Sequence, residues 1–161
     1  KLLEWTVIVL MAVLVFDVLW GVFSRYVLGA QSRWTEELAT MLLVWVALLG
    51  GSVAFGVRGH LGVDYFVGKL EPGARLLIDV VVDVLVAVFA TAVMIVGGYI
   101  LVERTLAAGQ VTPAMGIKVG YFYLAVPISG VFILLFCIDG IYETLSGRAE
   151  PPANSTEEEV G

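Results

Sequence analysis

The sequence predicts an all-α integral membrane protein with four transmembrane helices and a short interfacial amphipathic segment between the second and the third. Two observations carry that expectation. Hydrophobic residues fill 60% of the 161 positions and charged ones only 15%, too little polar surface to cover a domain folded in water. From Leu38 to Val57 the chain carries no charge, and about 20 residues rising about 1.5 Å each cover roughly 30 Å, the hydrocarbon thickness of a bilayer. One membrane domain is expected over residues 1–146, followed by a disordered acidic tail over 147–161.

Helix 1 is expected over about 2–28. Its apolar run from Trp5 to Phe23 exceeds the roughly 7–15 residues of a signal-peptide core and no small-residue cleavage pattern follows it, so it stays in the membrane. Trp5 marks one interface, and Phe23, Arg25 and Tyr26 mark the other. The loop from Gly29 to Arg33 is short, which makes helices 1 and 2 antiparallel neighbours. Helix 2 is expected over about 35–58, with Thr35 as cap, Glu36 and Glu37 at the positive end of the dipole, and Arg58 and Gly59 closing it.

Residues 61–70 set Leu61, Tyr65, Phe66, Val67 and Leu70 among polar neighbours and are too few to span, so they form the interfacial amphipathic segment. Pro72 suits the first turn of helix 3, expected over about 74–107, which at roughly 50 Å is longer than a bilayer needs. Loop 3 places Thr112 before Pro113 and predicts a short helix or a folded loop. Helix 4 is expected over about 121–145, opening on Tyr121, Phe122 and Tyr123, with a kink at Pro127.

The residues offer little chemistry. His60 is the only histidine and no Cys or His cluster exists, so neither a two-His haem nor a metal site is expected. Asp79 and Asp83 lie four apart on one helix, whereas a carboxylate dyad draws its members from different elements. No catalytic residue, cofactor or enzymatic activity is expected. The lone Cys137 reads as a small buried hydrophobe. The net charge of -6 owes much to Glu150, Glu157, Glu158 and Glu159, a solvated tail, and no nucleic-acid partner is expected.

Asp17 is the sharpest feature, because a carboxylate near mid-bilayer is costly and is by default a functional candidate. It is expected either to couple protons or to serve assembly as a buried, hydrogen-bonded acid. Small residues recur four apart in Ala47 with Gly51, Gly50 with Ala54, Ser52 with Gly56, and Ala125 with Ser129, strips that let helix backbones approach. Trp34, Glu37, Met41 and Trp45 follow helical spacing on another face, and Trp45 is too deep for an interfacial belt.

Three stretches carry a family resemblance. They are Trp34-Thr35-Glu36-Glu37-Leu38-Ala39 with Arg25 before it, Arg58-Gly59-His60-Leu61-Gly62-Val63-Asp64, and Gly109-Gln110-Val111-Thr112-Pro113-Ala114-Met115-Gly116 followed by Tyr121 to Gly130. From helix 1 to helix 4 the chain resembles the small membrane subunit, Q or DctQ-like, of tripartite ATP-independent periplasmic (TRAP) transporters. The resemblance implies a four-helix subunit of the bacterial inner membrane with cytoplasmic termini. Its implied partners are a large membrane (M) subunit, which carries the substrate and sodium sites and moves like an elevator, a periplasmic solute-binding protein, and membrane lipids. The transported solute would be carboxylate-bearing, and the small subunit a scaffold with loops 1 and 3 facing the periplasm. Trp34, Glu36, Glu37, Trp45, Gly51, Arg58, His60, Asp64 and Ser129 are the candidates for partner contact or assembly. A proton-coupled four-helix exporter using Asp17 is the alternative. The cations Lys1, Arg58, Lys69, Arg75 and Arg148 against Arg25, Arg33, Arg104 and Lys118 lean towards cytoplasmic termini.

Overall fold

The computed structural model describes residues 1–30, 32–57 and 72–146. The expected interfacial segment at 61–70, the candidates Arg58, His60 and Asp64, and the tail at 147–161 lie outside the described residues. The described fold is all-α. Helix α1 is Leu2–Tyr26 and α2 is Arg33–Gly56. Helix α3 runs through Pro72–Phe89, a π-helical stretch Ala90–Gly97, and Gly98–Ala107. Helix α4 comprises Gly120–Tyr123 and Ala125–Leu145. Among the described residues, four helices are long and apolar enough to cross a membrane, at Leu2–Tyr26, Arg33–Gly56, Val80–Ala107 and Gly120–Tyr142.

The helices stand in a row. α1 packs against α2, α2 against α4, and α4 against α3, while α1 has no substantial contact with α3 or α4. The α1 positions withdrawn from the surface are Leu3, Val7, Leu10, Leu14, Asp17, Gly21 and Ser24. Their spacing alternates four and three, the seven-residue seam of a coiled coil. On α2, Thr35 lies across from Gly21 and Gly50 across from Val7: a Cβ added at Gly21 would come to 3.2 Å from Thr35 Oγ1, and one at Gly50 to 3.8 Å from Val7 Cγ1. The two helices are therefore antiparallel neighbours, as their short loop predicts.

The α2–α4 and α3–α4 seams rely on missing side chains. A Cβ at Gly56 would lie 2.8 Å from the Phe136 ring, one at Gly98 2.9 Å from Pro127 Cδ, and one at Gly130 2.7 Å from Met94 Cβ. Such close approach is how helices gain van der Waals contact where lipid gives no hydrophobic drive. Between α2 and α4 the fully buried Ser52 hydroxyl donates to Leu48 O at 2.9 Å and approaches Ser129 O at 3.3 Å. The π-helical stretch, where one uninterrupted helix was expected, lies where α3 meets Gly130, whose added Cβ would also be 3.3 Å from Ala90 O.

Two helix ends differ from the sequence expectation. α2 begins at Arg33 with Ser32 at the cap position, and Thr35 instead donates its hydroxyl to Ser32 O at 2.6 Å. In α4 the break falls at Leu124, three residues before Pro127. Proline has no N–H for the carbonyl four residues earlier, and the interruption at Leu124 falls in the turn that Pro127 leaves without that hydrogen bond.

Candidate functional site

The end of the row that holds the α1–α2 and α3–α4 loops contains most of the described polar structure. At the first loop, Gly29 takes a positive φ of 67°, the conformation glycine adopts without strain. The buried Ser24 hydroxyl donates to Ala30 O at 2.6 Å and shares a hydrogen bond with Ser32 Oγ at 2.9 Å. The turn is thereby tied back to the last turn of α1.

The second loop is folded and contains no helix. Val111 and Lys118 form an antiparallel bridge, Thr112 N–H donates to Ile117 O at 2.8 Å, and Val119 N–H donates to Gln110 O at 3.0 Å. Gly116, at φ 66°, closes the turn with its N–H on Thr112 O at 3.0 Å. The Thr112 hydroxyl accepts from Ile117 N–H at 3.2 Å. This fold leaves the N–H groups of Ala114 and Met115 pointing out of the turn, and one side chain takes both: Glu37 Oε1 accepts from Ala114 at 2.8 Å and Oε2 from Met115 at 2.9 Å. Charge-assisted bonds of this length are the strong kind, and two of them fix orientation as well as distance. Two of the three stretches that carry the resemblance thus meet at one carboxylate.

Around α2 the same end opens on both sides. A cleft of about 650 Å³ is lined by Arg33, Glu36, Glu37, Thr40, Pro113, Ala114 and Phe122. A second groove, of about 290 Å³, lies along the α1–α2 seam and is lined by Asp17, Val18, Gly21, Val22, Arg25, Tyr26, Thr35, Glu36 and Ala39. Glu36 borders both. Below it the exposed positions of α2 are Thr40, Leu43, Ala47, Gly51 and Ala54, three or four apart and so on one face.

The sequence candidates separate accordingly. Glu36 and Gly51 lie on the open face of α2, and nothing stands within 4 Å of a Cβ added at Gly51. Ser129 is fully buried between α2 and α4, inside the chain. Trp34 is 43% exposed, and Trp45 is half-buried with its indole N–H buried and without a partner among the described residues. Asp17 occupies the α1–α2 seam at 6% exposure, and neither carboxyl oxygen has a hydrogen-bond partner there. Sequence reasoning missed the seam itself and the pairing of Glu37 with loop backbone. The alternating four–three spacing of the α1 seam is legible but unremarked in a helix apolar all round, and backbone N–H groups leave no mark in a sequence.

No cluster of metal-ligating side chains forms among the described residues. The family model for the DctQ component of tripartite ATP-independent periplasmic transporters matches residues 11–147. The chain is 28% identical over 136 residues, 84% of its length and 77% of the relative's, to the sialic acid TRAP transporter small permease protein SiaQ of Vibrio cholerae. It is 27% identical over 140 residues, 87% of its length and 83% of the relative's, to a putative TRAP transporter small permease protein of Haemophilus influenzae. It is also 28% identical over 101 residues to the isethionate TRAP transporter permease protein DctMQ of Oleidesulfovibrio alaskensis, a match covering 63% of this chain and 16% of that longer one. A multi-pass integral membrane protein with four apolar helices, this chain belongs to the DctQ family of small permease components of TRAP transporters.

Proposed function

We propose that the chain scaffolds a large membrane subunit in the bacterial inner membrane, with both termini cytoplasmic, in a transporter that takes up a carboxylate-type solute by sodium symport. A periplasmic binding protein delivers that solute to the loop end. The observation that carries this reading is the open face of α2: Thr40, Leu43, Ala47, Gly51 and Ala54 leave a shallow, mostly small-residue track uncovered by the described helices. Lipid tails need no such track, whereas a second helix does. The match to a short part of a much longer permease chain supports a membrane partner of that kind. Sialic acid and isethionate, the solutes in two relatives' names, are organic anions, and the first is a carboxylate.

The loop held by Glu37 supports docking at that end. A surface that presents a fixed backbone loses less freedom on binding than one that must first be ordered. A permease component of this family is not an enzyme, and the solute and ion sites belong on this reading to the large subunit. The test is reconstitution: the small chain, the large subunit and both together are placed in vesicles under an inward sodium gradient with loaded binding protein. Uptake by the pair and by neither alone is expected. Uptake by the small chain alone would sink the scaffold reading and favour the Asp17 exporter.

A further inference from the structure

The seam groove contains an acid with nothing to bind. Both oxygens of Asp17 are buried and lack a hydrogen-bond partner among the described residues. Two hydroxyls of the seam are committed elsewhere, Thr35 to Ser32 O and Ser24 to Ala30 O. Asp17 lies about 13 Å along the axis from Tyr26 at the end of α1, deep enough that a polar group without a partner is costly. It stands in the wall of a 290 Å³ groove whose other walls include Gly21, Thr35 and Ala39. Gly21, which has no side chain, and Ala39 are the smallest residues that line it. Rotation about the Cα–Cβ bond is the movement that presents an oxygen to that space.

The groove also has a direction. It shares Glu36 with the open face of α2, so it adjoins the loop end of the track of Thr40, Leu43, Ala47 and Gly51. Resting on the scaffold reading above, we propose that a transmembrane segment of the large subunit seats in the α1–α2 groove and that a hydroxyl or amide on it donates a hydrogen bond to Asp17. Acyl chains fill such a space without offering a donor, so they leave the acid as it stands in the isolated chain. A partner helix supplies the donor and covers the adjoining track in the same step. Arg25 and Glu36, at the mouth, are the charged groups that line the groove with Asp17.

The test uses the co-expressed complex. With a photoreactive benzoylphenylalanine at Val22, a groove-lining position, irradiation should join the two subunits. Asp17→Leu should weaken retention of the large subunit roughly 3- to 20-fold, the range measured for hydrogen bonds between membrane helices, while Asp17→Asn, which keeps an acceptor oxygen, should stay within about twofold of wild type. A phospholipid adduct alone at Val22, an adduct to a second small subunit, or no adduct, in a complex that still contains the large subunit, overturns the groove assignment and leaves the scaffold reading standing. Equal loss in Asp17→Leu and Asp17→Asn, or no loss in Asp17→Leu, overturns the hydrogen bond. A wild-type chain that retains no large subunit overturns both readings together.

Discussion

Glu37 reaches across 77 residues of sequence to hold the turn at Ala114 and Met115, and it does so because a carboxylate has two oxygens to offer two adjacent N–H groups. Glu37→Gln leaves one acceptor and sets an amide NH₂ against the second N–H. Hydrogen exchange at Ala114 and Met115 should then quicken by about tenfold or more, with helix content unchanged by circular dichroism. Unchanged exchange would mean that the loop holds itself through its own bridge. Asp17 is the opposite case, an acid with no hydrogen-bond partner among the described residues. Asp17→Asn removes the titrating proton and keeps an acceptor, so sodium-driven uptake by the assembled transporter should survive. Loss of uptake at normal complex yield would instead mark Asp17 as a proton-coupling acid. The sequence made both acids conspicuous, Glu37 through its motif and Asp17 through its depth. Neither acid's surroundings could be read, since one depends on loop backbone and the other on which face of α1 turns inward.

At the scale of elements, the small-residue strips of α2 were legible as contact surfaces, but not as surfaces that turn to two different helices and to the outside. Gly50 turns to α1, Ser52 and Gly56 to α4, and Ala47, Gly51 and Ala54 outward. Positions one residue apart on a helix differ by about 100°, and an apolar background gives no polar face from which to fix the phase. The assignments separate two substitutions of the same kind. Ser129→Leu forces a branched side chain into a fully buried position and should destabilise the chain itself by about 1–3 kcal/mol, seen as a lower unfolding temperature in detergent. Gly51→Leu meets open space, so the isolated chain should melt near wild type while retention of the large subunit falls. If Gly51→Leu unfolds the chain or leaves the complex intact, the open face has been misassigned. The four helices and the antiparallel α1–α2 pair followed from apolar length and a short loop. The π-helical stretch lies where α3 meets Gly130 of α4, a tertiary contact that no local pattern announces.

For the whole molecule, a row of helices instead of a closed bundle leaves large apolar side chains exposed, Phe16 at 74% and Leu77 at 68% among them. Among the described residues, four spans put Leu2 and Leu145 at one end of the row and gather the Ser24–Ser32 turn and the Glu37-held loop at the other. Which side faces the periplasm decides whether that ordered end can meet a soluble binding protein at all. The cation distribution favours cytoplasmic termini by a narrow margin, and in short loops it is Lys and Arg that set orientation. In a Cys137→Ala background, single cysteines at Ala108 and Ser146 test it, since both positions are exposed and lie at opposite ends of the row. The background is mild in principle, because Cys137 is fully buried and the change only removes its sulfur. A membrane-impermeant maleimide applied to intact cells should label Ala108→Cys, and it should label Ser146→Cys only after the membrane is opened. The reverse pattern would put the Glu37-held loop in the cytoplasm, where no periplasmic protein could dock on it, and would leave scaffolding as the only role for that end.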